Sequence, residues 1–255
     1  MRRWLTLTLA IAGVARAATF DQILDRSFHA AEREAAFLAS VASTETVAEV
    51  KLDPKERTES KSSRVYDYFV LIDTANGDLS VNESRIEQQS KGGGKMSKQL
   101  LQSTGFAMLS LIFHPFFEQS FALRDGGSET VEGRAWHKIL FQYRPGKRSP
   151  TLLRTGAREY PISWAGEAWV EEKTGRVARI HAKVAAQLDE IGIQSMETNV
   201  MYGPADNLGE TAEWVPLKAV LDLQTLHQHW RNTHTFSRFR KFEVTTVEQK
   251  PGKIK

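Results

Sequence analysis

Three histidines, His227, His229 and His234, fall within eight residues of one another. On a strand, positions 227 and 229 project to the same side about 7 Å apart. A third imidazole across a turn would complete a three-ligand zinc site. The spacing therefore admits a metal-dependent hydrolase. Against it, Asp222 falls on the strand face opposite His227, and catalytic zinc sites use a base beside the ligands. A solvent-facing polar strand end is the favoured reading, so no metal and no cofactor are expected. Other catalytic patterns are weaker. No Gly-x-Ser-x-Gly elbow occurs and cysteine is absent, which excludes thiol chemistry and cysteine zinc sites. Gly92-Gly93-Gly94-Lys95 is followed by Met96 rather than Ser or Thr, so it reads as a connector and not a phosphate loop. Glu167 and Glu171 share a strand face with Trp169, but acids on a hairpin are ordinarily solvated. Arg238 and Arg240 point to one face, where they meet either an anionic group or a cross-strand acid such as Glu171 or Glu197.

The stronger signal is apolar. Between Lys98 and Leu123 the chain carries Phe106, Met108, Leu109, Leu111, Ile112, Phe113, Phe116, Phe117 and Phe121. His114-Pro115 interrupts this stretch, because a residue before proline is pushed out of helical geometry. Two roles suit it: a buried helical plug in a β core, or a lid over an apolar cavity. Phe106, Leu109, Ile112, Phe113 and Phe116 are the candidate ligand-binding residues. Leu217, Leu221 and Leu223, which alternate inward on a later strand, are the candidate floor.

The elements that must position these residues follow from hydrophobic period. Phe20, Leu24, Phe28, Ala31, Ala35 and Leu38 recur at helical spacing, and Thr19 with Gln22 forms a capping box, predicting a helix over 19–42. Glu32, Arg33 and Glu34 fall mostly off its apolar face. Strands are predicted over 46–52, 64–73, 78–88, 134–143, 164–172, 176–185, 193–202, 214–229 and 233–247, with 53–63 and 147–158 as polar loops. Asn76-Gly77 is a hairpin signal, and Gly175 suits a left-handed turn position. Phe236, Phe242 and Val244 are expected on one side of the last strand. Short connections favour antiparallel pairing. The expected fold is mainly β: a long antiparallel sheet curved into an incomplete barrel around one or two helices, with an amphipathic helix at its N-terminal end.

Composition narrows the setting. Arg2 and Arg3 precede an apolar stretch from Trp4 to Val14, and Ala15-Arg16-Ala17 offers small residues for cleavage before Ala18. That is the pattern of a secretory signal peptide. Expected segments are a leader over 1–17, a single half-barrel domain over 18–248 and a polar tail over 249–255. The chain has 34 Lys+Arg against 31 Asp+Glu, and loss of Arg2, Arg3 and Arg16 leaves the signs balanced. A neutral surface gives no footprint for nucleic acid. No transmembrane anchor is expected in the mature chain.

The stretch Gly166-Glu-Ala-Trp-Val-Glu-Glu-Lys-Thr-Gly-Arg-Val-Ala-Arg-Ile180 resembles the central hairpin of the periplasmic lipoprotein-carrier (Lol-type) family. Trp214-Val-Pro216, followed by Thr235 to Phe242, resembles the C-terminal strands of uncharacterised exported bacterial proteins of that shape. The resemblance implies an incomplete β-barrel closed by helices, an apolar concavity that takes acyl chains, and a periplasmic location. The expected function is non-catalytic binding of an apolar or amphipathic, lipid-like ligand in the concave face, with envelope proteins as further partners. The alternatives are the histidine-dependent metallohydrolase and a ligand-free scaffold or interaction protein.

Overall fold

The computed structural model describes residues 18–73, 79–88, 102–105, 107–155, 158–186, 188, 191–205, 208–209 and 213–242. The expected leader and tail, the Asn76-Gly77 turn, the triple glycine, Phe106 and Val244 lie outside them. Helix α1 spans Phe20–Leu38 and starts at the capping box, where Thr19 Oγ1 accepts from Gln22 N and Gln22 Oε1 accepts from Thr19 N. It ends four residues earlier than expected, because 39–42 turn directly into strand β1 (Val41–Leu52).

Twelve further strands follow among the described residues: β2 (Thr58–Asp73), β3 (Ser80–Glu87), β4 (Gln102–Thr104), β5 (Phe121–Val131), β6 (Arg134–Tyr143), β7 (Leu152–Thr155), β8 (Arg158–Pro161), β9 (Trp164–Glu171), β10 (Val177–Val184), β11 (Ile193–Gly203), β12 (Val215–Thr225) and β13 (His229–Lys241). Ten of them form one antiparallel sheet in the order β3-β2-β1-β13-β12-β11-β10-β9-β6-β5, and β4-β7-β8 form a small separate sheet. The large sheet is curved but not closed: β3 and β5 are its edges and do not pair. The mainly β, open half-barrel expected from the sequence is the observed architecture.

The concave face is read from the register. Across the central strands it runs through Ile139, Ala168, Ile180 and Val200, which face one another pairwise, and through Ala219 and His234 beyond. Ile139, Ala168, Ile180 and Val200 are completely buried. This face packs against the buried side of α1 and against residues 107–120, all within one apolar cluster. Gly175, at φ +76°, closes the β9–β10 hairpin against α1: a Cβ there would stand 2.2 Å from the Arg26 carbonyl carbon. Hence the Thr-Gly turn read from the sequence seats the helix as well as reversing the chain.

Four expectations need correction. Residues 58–63 belong to β2 rather than a loop; they are exposed on both faces because the β1–β2 ribbon extends past the covered core, while ladder bonds to β1 still satisfy the backbone. Residues 152–155 and 158–161, part of the loop expected over 147–158, pair with each other as β7 and β8. The strand expected over 214–229 ends at Thr225, whose hydroxyl accepts from the Gln228 backbone amide and closes a tight turn. In β13, a bulge at Arg238 (φ +52°) shifts the register, so that Phe236 and Phe239 are both buried.

Candidate functional site

Residues 107–120 plug the concave face. They form two short 3₁₀ helices, Leu109–Phe113 and Pro115–Ser120, rather than one α-helix. The break falls at His114, which is extended (φ −70°, ψ 135°) ahead of Pro115. His114 Nδ1 accepts from Phe116 N at 3.2 Å and so caps the second segment. Acceptance requires the neutral ring, and burial lowers the pKa of this imidazole. Met108, Leu109, Ile112 and Phe113 have no accessible surface and Leu111 has 1 %. Side chains buried to that degree touch no void large enough for water. Phe116 is half-buried, with the Arg148 guanidinium 5.2 Å above its ring and Phe117 edge-on at 5.0 Å.

The plug is fastened by polar contacts in an otherwise apolar setting. Ser110 Oγ donates to Glu34 Oε1 of α1 at 2.8 Å, and Ser110 N donates to the Tyr202 hydroxyl of β11 at 3.0 Å. Glu34 is 5 % exposed, and burial pushes its carboxyl up to about 8, opposed chiefly by the Ser110 bond. It is therefore protonated at neutral pH. Burial likewise raises the Tyr202 phenol, with the nearby Glu34 carboxyl acting in the same direction. Glu34 was expected off the apolar face. The buried positions Ile23, Ser27, Ala30, Glu34 and Leu38 follow one another at four- and three-residue steps, and that spacing is the signal that places it inward.

A second buried group lies on the concave face at β1, β2, β3 and β13. Arg85 Nε and Nη2 grip Glu45 at 2.6 and 3.1 Å, and Arg85 Nη1 lies 3.0 Å from Glu83. His234 Nδ1 is 2.8 Å from Glu45 Oε1, and Tyr68 stacks under Arg85 at 5.0 Å. The side chains of Glu45 and Glu83 are wholly buried. Burial alone would raise the Glu45 pKa, but the bonds from His234 and Arg85 bring it below the ordinary carboxylate value. Glu83 Oε1 also accepts from Gly105 N at 3.0 Å, tying this group to the start of the plug. Of this group only His234 was singled out in the sequence, and for a different role; Glu45, Glu83 and Arg85 were not, because charged side chains on strands read as solvated.

The candidate floor residues Leu217, Leu221 and Leu223 share the inward face of β12 and belong to the same apolar cluster. Leu221 and Leu223 are 8 % and 7 % exposed, and Leu217 is half-buried. The plug's main contacts are nevertheless with α1, β10 and β5 rather than β12. The three histidines are not brought together. His227 is exposed in the β12–β13 turn. His229 pairs with Gln224 on the outer face, and its Nε2 lies 2.6 Å from Asp222 Oδ1. His234, five residues further on, faces inward to Glu45. Among the described residues no three His, Cys, Asp or Glu side chains are arranged to hold a metal ion. His229 instead lines an open outer cleft of about 410 Å³ with Glu197, Asp222 and Arg231. Two of its carboxylates are already engaged, Glu197 by His181 and Lys183 and Asp222 by His229 and Arg231. Arg240 pairs with Asp67, not with Glu171 or Glu197. At the β5 bulge, Ser128 Oγ and Asp125 Oδ1 each lie 2.8 Å from the His137 ring, and Asp125 also accepts from Gly127 N. This Ser–His–Asp chain closes the bulge across β5 and β6.

The fold and site thus define an open, curved antiparallel sheet whose concave face is filled by an apolar insert. No protein-family model matches the chain, and no curated protein matches it. Among solved structures it is similar to a DUF1329 family protein from Desulfovibrio piger, at 9 % identity and a TM-score of 0.48 over 88 % of this chain and 95 % of that one. It is also similar to a putative outer membrane lipoprotein-sorting protein domain from Vibrio parahaemolyticus, at 8 % identity and a TM-score of 0.44 over the same shares. No helix among the described residues is long and apolar enough to cross a membrane.

Proposed function

We propose that this protein is a non-catalytic, exported binder of an apolar or amphipathic, lipid-like ligand, taken up on the concave face in exchange for the 107–120 plug. Residues 1–17 would direct it out of the cytoplasm, with the periplasm as its place of work. The observation that carries the reading is the plug itself. It is apolar, contributes no strand to the ten-stranded sheet, and is built of 3₁₀ turns, whose hydrogen-bond geometry is poorer than that of an α-helix. Because Leu109, Ile112 and Phe113 border no void, a ligand enters by replacing them rather than by filling space beside them. An acyl chain would recover roughly 0.8 kcal/mol per buried methylene, which offsets the apolar area the plug gives up.

Native mass spectrometry of gently purified protein, followed by titration of the delipidated protein with a fluorescent fatty acid, tests this. The expected result is one saturable site per chain, weakened when Leu221 and Leu223 are replaced by aspartate. Absence of both co-purified lipid and saturable binding overturns it. The burial of residues 107–113, none more than 2 % exposed, favours one other reading, a ligand-free scaffold in which the plug never leaves, and that negative result would select it.

A further inference from the structure

We infer that Glu34 is a proton-operated latch: its carboxyl is tolerated in the buried space between α1 and Ser110 while neutral, and loss of its proton strands a charge there that lifting of the plug from α1 relieves. The inference rests on the proposed exchange of plug for ligand and concerns what controls that exchange. The geometry is specific. Ser110 sits in the middle of the first 3₁₀ segment, 1 % exposed, between a carboxyl on α1 and a phenol on β11. It is the buried polar residue within Leu109–Phe113, whose other members are hydrocarbon. If the plug lifts, Glu34 loses cover and meets water.

The groups around Glu34 make this switch one-directional. From the plug comes the Ser110 hydroxyl, and from β11 the Tyr202 hydroxyl, which carries no charge at physiological pH. Glu213, ahead of β12, acts on Glu34 as a like charge. It is itself held by Arg33 at 3.0 Å and Arg176 at 3.1 Å, so Arg176, the cation that acts on Glu34, is already engaged. No cation forms a hydrogen bond or ion pair with Glu34 among the described residues, and an ionised Glu34 would therefore stand buried beside a second carboxylate. An anion left in that state is relieved by solvation, and lifting the plug supplies it.

The sign follows from linkage. With the plug lifted, Glu34 takes the ordinary carboxylate value of 4.5; with the plug shut, it titrates near 8. Below 4.5 both forms are protonated and the plug is fully held. Between these limits each unit of rising pH favours the lifted form by about tenfold, and above 8 the effect levels off.

Hydrogen exchange measured by mass spectrometry on the whole protein without ligand tests the latch independently of lipid binding. Protection of the amides of 107–114 is compared between wild type and Glu34→Gln at pH 5, 6.5 and 8.5. The paired comparison cancels the intrinsic pH dependence of exchange. Glutamine keeps an acceptor for Ser110 but cannot ionise. The expected result is similar protection at pH 5 and at least tenfold weaker protection in wild type at pH 8.5, with amides of β6 and β9 unchanged. Parallel pH profiles for the two proteins, or a loss spread evenly over the sheet, overturns the latch. Should Glu34→Gln fail to fold, Ser110→Ala serves: without the hydroxyl that lowers the Glu34 pKa, the loss of protection must extend to higher pH, and an unmoved profile overturns the inference. A latch that works in a protein with no saturable fatty-acid site leaves the switch standing and removes the ligand reading; the reverse outcome does the opposite.

Discussion

Two neighbouring stretches of one concave face are sealed by opposite means. Over β6, β9, β10 and β11 the seal is hydrocarbon: Ile139, Ala168, Ile180 and Val200 under Leu109, Ile112 and Phe113, with one bonded carboxyl at its margin. Over β1, β2, β3 and β13 it is an ion group, with Arg85 clamped between Glu45 and Glu83 above Tyr68. Both exclude water, but they respond differently to change. The hydrocarbon seal depends on filled volume and releases a neutral surface when opened. The ionic seal depends on balanced charge, and any opening leaves partners stranded. The 3₁₀ plug lies over the first stretch, so the proposed exchange would open the hydrocarbon seal and leave the ionic one in place.

The largest expected effect falls on the ionic side. Arg85→Met leaves two buried carboxylates without their guanidinium and should lower stability by about 3–5 kcal/mol in urea titration, whereas replacing Arg85, Glu45 and Glu83 together with apolar residues should cost far less. If the triple variant is as unstable as Arg85→Met, pairing is not what this stretch depends on. On the hydrocarbon side, Phe113→Ala should cost about 3–5 kcal/mol and Phe113→Leu clearly less, since the penalty follows the volume left empty. Equal losses in the two variants would break the distinction.

The pH response sharpens the contrast, because the two carboxyls carry opposite signs. Glu45 lies below its ordinary value, so its contribution is present above pH 4.5 and fades as pH falls below it. Glu34 lies above its ordinary value, so its contribution is complete below 4.5 and is lost, at about 1.4 kcal/mol per pH unit, as pH rises toward 8. Denaturation curves from pH 3 to 9 should therefore flatten on the alkaline side in Glu34→Gln and on the acid side in Glu45→Gln. The smallest effect is expected from Ser110→Ala, about 1 kcal/mol for one hydrogen bond, seen as faster local exchange at residues 107–114.

Much of this was legible in the residues. The alternation of Leu217, Ala219, Leu221 and Leu223, the capping box at Thr19 and the turn at Gly175 each follow from local rules, and so does the break at His114-Pro115. The misses have physical causes. Ladder pairing alone made 58–63 a strand, and no hydrophobic pattern marks a ribbon wet on both sides. The Arg238 bulge changed which phenylalanines point inward. Both chemical groups escaped notice for one reason: Glu34, Glu45, Glu83 and Arg85 are buried only because elements far apart in the chain cover them, and period alone assigns a charge to the surface. The alternative histidine cluster is not assembled because the turn at Thr225 takes His227 off the strand and His234 faces inward to Glu45.

The pairing of β1 with β13 joins Val41 to Lys241 and Leu52 to His229, across almost the whole described chain. Synthesis runs from the N-terminus, so β1, with β2 and β3 beside it, can be joined to the rest of the sheet only after β13 has been made. Closure over so long a sequence separation is slow. A chain interrupted before His229 would lack the seam strand and should be held by chaperones or degraded rather than accumulate as a shortened form.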